Sequence, residues 1–258
     1  MNEPVPTPPL IPSPSLVSLP PRAPASGLAP LGANPEEQAP ILGMVAAVEA
    51  LLRQPQRVMF QLRQPGAGSL ILALLGIGIW CSLVYGVVAG TFAGGTQLWA
   101  APVKIAGGLL LTALICLPSL YIFACLGGAQ ARLVEIAGLM AGLLALFSLL
   151  LVGFAPVAWV FSQSTESLPA MGALHLAFGL VAGCFGLRFL RAGFFHYSAE
   201  RSAGLNFWTI IFVLVALQMT VALRPIIGQA DTFLPVQKKF FINHWRDCLK
   251  ASGDRQES

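Results

Sequence analysis

Five apolar stretches of roughly 20 residues each, free of Asp, Glu and Lys, dominate this chain. They are Leu70–Ala89, Ile105–Cys125, Ile136–Trp159, Ala170–Leu187 and Phe207–Leu223. A helix rises about 1.5 Å per residue, so about 20 apolar residues cross a hydrocarbon core of about 30 Å. Each stretch therefore reads as a transmembrane helix. None shows strand-like alternation, which excludes a β-barrel. The reading is an all-α integral membrane protein, a bundle of five helices with flanking interfacial amphipathic helices.

The rest of the composition points the same way. Of the 258 residues, 56% are hydrophobic and only 10% are charged. A soluble domain carries about 25% charged residues. Fifteen Lys and Arg with eleven Asp and Glu cannot coat a globule of this size. A soluble enzyme, a nucleic-acid-binding domain, a coiled coil and a disordered protein are all excluded. The net charge of +4 reflects basic residues that flank the spans, so it calls for no nucleic-acid partner.

Orientation follows from those flanks. A cytoplasmic N-terminus puts Arg53, Arg57, Arg63, Arg132, Arg188, Arg191 and Arg201 inside, and Lys104 alone outside. Such a chain suits the inner membrane of a bacterium. The C-terminus then faces out, although its tail carries Arg224, Lys238, Lys239, Arg246, Lys250 and Arg255. The tail offers no second apolar run that would return it.

Three segments flank the 65–225 membrane domain. Residues 1–40 hold twelve of the twenty prolines and read as a disordered, partly polyproline-II tail, without the h-region of a signal peptide. Residues 41–64 follow. Ile41, Met44, Val45, Val48, Leu51 and Leu52 share one helical face, and Pro55 ends the pattern. With Arg53, Arg57 and Arg63, this segment lies beside anionic lipid or packs on the protein's own loops. In the 226–258 tail, residues 235–250 read as a basic amphipathic helix bearing Phe240, Phe241 and Trp245.

In lipid, helices pack through close backbone approach at small residues. Gly86 with Gly90, Gly138 with Gly142, and Gly179 with Gly183 are the candidate contacts. They serve within the bundle or, for a homo-oligomer, at a seam between copies. Pro118 and Pro156 are expected to kink their helices. Four of the tryptophans fall near span ends, as interfacial belts do. Trp80, in mid-span, is expected to pack inside the bundle.

Chemistry has little to work with. No intramembrane carboxylate, paired aspartates, HExxH or Cys-x-x-Cys occurs, so no catalytic, metal or cofactor site is expected. Ser119 and Ser148 have no base near them in sequence. The loop Ser162–Ser167 reads as a polar turn. The polar residues left over gather toward one side. His175 stands about five residues into the fourth span. Gln218, Thr220 and Arg224 close the fifth, and Glu166 and Asp231 lie in the adjoining loops. Pairing of His175 with Gln218, and of Arg224 with Glu166 or Asp231, gives an outer-leaflet cluster that acts as structural glue or as a ligand site.

The layout resembles one family. A Pro-rich tail, the segment Phe60-Gln61-Leu62-Arg63-Gln64-Pro65 and five closely spaced spans are similar to the Yip family of polytopic membrane proteins and its bacterial relatives. The resemblance covers about residues 55–225. It implies a multi-helix membrane fold and, for the bacterial relatives, no defined activity. The Asp-Leu-Tyr-Gly-Pro motif of the eukaryotic members is absent, so binding to Rab-type GTPases is not implied. The expected role is a non-catalytic scaffold or membrane-organising partner of other membrane proteins. The alternative is a transporter or channel component with a polar site at the outer face.

Overall fold

A computed structural model describes residues 31–93, 97–129, 131–165, 168–195 and 203–222. The 235–250 segment, Arg224, Glu166 and Asp231 lie outside these residues. The described elements are all helical: α1 (Pro35–Gln38), α2 (Gly43–Arg53), α3 (Pro55–Leu62), α4 (Gly68–Ala93), α5 (Gln97–Leu126), α6 (Leu133–Ser164), α7 (Leu168–Phe195) and α8 (Ala203–Ala222). Four of them, α4 to α7, are long and apolar enough to cross a bilayer, and α8 is a shorter apolar helix. The chain is thus a multi-pass membrane protein.

Every long helix outruns the apolar stretch that announced it. Hydropathy marks only the part that dissolves in lipid, whereas the helix continues as long as its backbone bonds are satisfied. α6 therefore starts early, where the Glu135 carboxylate accepts from the Arg132 main-chain N–H at 3.4 Å and from its Nε at 3.0 Å. An acid in the first turn complements the free N–H groups there. α5 stops at a left-handed glycine: Gly128 has φ of 74°, and Ala129 N–H reaches back to the Ala124 carbonyl at 3.0 Å. α5 runs through Pro102 and Pro118, and α6 through Pro156.

α6 is the hub. About two thirds of its apolar window is buried, against 17% for α7. α4 packs along α6 and along α5, α7 packs on α6, and α8 lies on α5. Glycine permits the closest crossings. A Cβ on Gly78 would meet the Ala145 main chain at 3.5 Å, and one on Gly86 would stand 2.3 Å from Pro102 Cα. Phe189 fills the space over Gly142, and Leu62 the space over Gly138. Gly179 has nothing within 4 Å, and Gly183 meets only Phe147, at 3.9 Å.

Two readings of the tryptophans are reversed. Trp80 is 68% exposed, whereas Trp208 is completely buried. Leu70, Leu74, Ile77 and Tyr85 set the inward face of α4, and Trp80 falls off that face. Trp208 pins α8 to α5. Its Nε1–H donates to the Cys116 carbonyl and to Ser119 Oγ, both at 3.2 Å, and its ring stacks on Phe212.

The N-terminal helices are part of the fold. Residues 31–40, read as the end of a disordered tail, form a turn and α1. The Glu37 carboxylate holds them by accepting from Gly32 N–H at 2.6 Å and from Asn34 Nδ2 at 3.2 Å. Arg57 donates to the Ala39 and Pro40 carbonyls, and Gln61 bonds both Ile41 N–H and the Ala39 carbonyl. α2 and α3 bury Ala47, Leu51, Val58, Met59 and Leu62 against the end of the bundle that begins α4 and α6. This is the near end, and the opposite one is the far end.

Candidate functional site

The polar side chains inside the bundle are few, and most return to their own backbone. Ser82 donates to the Ile79 carbonyl, Ser148 to Leu144, Thr112 to Gly108 and Thr91 to Val88. A hydroxyl in a helix meets its hydrogen-bonding need this way without a partner on another helix. Ser82 and Ser148 also border a cavity of about 10 Å³ between α4, α5 and α6, with Gly78 and Leu110 in its wall. That is the room of about one water molecule, too little for a solute.

Tyr85 and His175 differ. Tyr85 lies near the far end of α4, and His175 one to two turns into α7. Their rings meet edge-on at 5.6 Å, and the Tyr85 hydroxyl is 2.6 Å from His175 Nδ1. This bond ties α7 to α4 directly, although α7 otherwise rests on α6. Leu151, Ala155 and Ala182 pack with Tyr85, and Phe178 of the same cluster stacks on Phe154. His175 Nε2 is fully covered and has no hydrogen-bonding neighbour. In an apolar surround a single neutral hydrogen bond between helices contributes about 0.6 kcal/mol on average, so the pair is above all a positional lock.

The expected pairing of His175 with Gln218 is not formed. Nδ1 is taken by Tyr85 and Nε2 has no partner. The cause is topological, because α7 flanks α6 whereas α8, with Gln218 and Thr220, flanks α5. Thr220 donates to the Leu217 carbonyl of its own helix. Tyr85 was missed because a tyrosine among apolar residues gives no signal of which helix it will meet.

Charge also enters the helices beyond the apolar stretches. Lys104, read as a loop residue, sits inside α5 at 2% exposure. Arg191 of α7 reaches Thr209 of α8 at 3.4 Å and joins those two helices at the near end. Among the described residues the ion pairs are Arg53 with Glu49 and Arg132 with Glu135. No group of three His, Cys, Asp or Glu side chains comes together among them to hold a metal. No family model, curated protein or solved structure matches the chain.

Proposed function

We propose that this chain is a five-span, non-catalytic membrane-organising protein that presents the flank of α7 to other membrane helices. One observation carries the reading. α7 is attached to the bundle along α6 and leaves a flank with Leu180, Val181 and Phe185 exposed, and nothing packs over Gly172 and Gly179. Helices in lipid associate through such surfaces, because small residues let backbones come near. The scarcity of acid and base groups in the bundle supports a role without group transfer.

The fifth span in this reading is α8. Its 20 residues cover about 30 Å, the thickness of the hydrocarbon core. Five spans with the basic flanks inside place the N-terminus in the cytoplasm of a bacterial cell and the C-terminus outside. Yip-like layout is consistent with this arrangement.

A photo-crosslinking side chain at Leu180, on the exposed flank of α7, tests the role in native membranes. The expected result is one discrete protein adduct that the same group at Leu114 of α5 does not give. Absence of an adduct at Leu180, with solute flux through the purified chain in liposomes, would overturn it. That outcome would favour the second reading, a ligand site at the far end, for which the unpartnered Nε2 of His175 is the supporting observation.

A further inference from the structure

The outer flank of α2 is uncovered, and it is apolar except for Glu49, one turn beyond Val45. Val45 is 84% exposed, and Leu42 and Leu52 are exposed beside it, while the opposite flank, with Ala47, Ala50 and Leu51, packs on the bundle. Water alone does not explain three large apolar side chains on one flank of a short helix. The position of α2 identifies what covers them. Met44 of α2 comes within 3.1 Å of the space over Gly76 of α4. Gly76 is eight residues beyond the start of α4, about 12 Å along its axis. α2 is therefore beside the flank of a spanning helix, not above its end. Leu72 of α4, exposed at the same level, continues the apolar surface of the bundle onto α2.

The charges near α2 balance. Residues 31–66 hold three acids, Glu36, Glu37 and Glu49, and three arginines, Arg53, Arg57 and Arg63, so their sum is zero. Arg53 pairs with Glu49 at 3.1 Å, and Arg57 is bonded to the Ala39 and Pro40 carbonyls. Little positive charge remains to attract anionic headgroups, in contrast to the expectation from the three arginines alone.

We propose that α2 is embedded in the leaflet at the near end, with Leu42 and Val45 among acyl chains, and that apolar contact alone keeps it there. Arg53 and Glu49 then mark the headgroup level. The inference rests on the reading that α4 to α7 cross a bilayer, and its test separates the two. A nitroxide amino acid is placed at Val45, Arg53 or Leu114 of the full chain in nanodiscs, and its collision rates with oxygen and with an aqueous nickel complex are measured. The Val45 label should meet the nickel complex about tenfold less often than the Arg53 label, and oxygen more often, as for a group below the headgroups. The contrast should be equal in phosphatidylcholine and in mixtures containing phosphatidylglycerol.

Nickel access at Val45 equal to that at Arg53, with Leu114 still shielded, would overturn the embedding while leaving the spans intact. Access at Leu114 as well would overturn both. Insertion only in anionic lipid would refute anchoring by apolar contact. Shielding of Val45 from both reagents would mean that a second protein surface covers α2 and would equally overturn the proposal.

Discussion

Gly86 and Gly179 both belong to a glycine pair spaced by four, and the structure gives them opposite roles. A methyl group on Gly86 would lie 2.3 Å from Pro102 Cα and 2.9 Å from its nitrogen. Both atoms are main chain, so no side-chain rotation can clear them. The crossing of α4 over α5 must widen instead. Overpacking costs about 1–3 kcal/mol, and an obstacle made of backbone puts Gly86→Ala at the top of that range, about 3 kcal/mol. A methyl on Gly179 would meet nothing within 4 Å. There the better helix propensity of alanine stabilises by about 0.5–1 kcal/mol. The same gain applies at Gly86, so the two variants should differ by about 3 kcal/mol, about two powers of ten in the folded-to-unfolded ratio. Reversible unfolding by dodecyl sulfate in mixed micelles, followed by far-ultraviolet circular dichroism, measures both against the wild type. A Gly86→Ala protein within about 0.5 kcal/mol of wild type would refute the argument, because clashes of the size expected here exceed that. So would equal losses in the two variants.

Other interactions are open to the same assay. A double-mutant cycle between Tyr85→Phe and His175→Ala should show a coupling of about 0.6–1.7 kcal/mol, the range for hydrogen bonds between membrane helices, and additive losses would deny the bond. Trp208→Phe keeps an aromatic ring but removes the donor to Cys116 and Ser119 and part of a fully buried side chain, and should cost about 1–3 kcal/mol. Ser119→Ala should cost less, since the Cys116 carbonyl still accepts. Arg57→Met removes the fastening of Ala39 and Pro40 and should cost about 1–3 kcal/mol locally. Hydrogen exchange should then quicken in residues 31–42 and stay unchanged in α6, and a uniform increase would show that the N-terminal helices are not a separate unit of stability.

The spans were legible because partition into lipid is a local and additive property. Twenty apolar residues in a row favour the hydrocarbon whatever their neighbours do, and the four long helices appear where the hydropathy puts them. The helical state of α2 was also readable from short-range spacing, but not its inward face: Met44, Val45 and Leu52, on the expected apolar face, are exposed, whereas Ala47, Ala50 and Leu51 are buried. The end of the proline-rich segment was not legible either. A few hydrogen bonds to Glu37, Arg57 and Gln61 order residues that composition assigns to a tail.

Tertiary structure alone decided which side of each spanning helix faces inward. In water, apolar periodicity reports that side, because the opposite face must be polar. In lipid both faces are apolar, and the pattern carries no phase. Trp80 could therefore be taken for a core residue and Trp208 for a belt residue, and the packed bundle reverses them. The same loss of phase hid Tyr85 as the partner of His175. It also hid the difference between Gly86, pressed on Pro102, and Gly179, where a Cβ would meet nothing within 4 Å. The sequence determined that the chain crosses lipid and roughly where. The contacts between helices, which set what the bundle offers to a partner, came only with the packing.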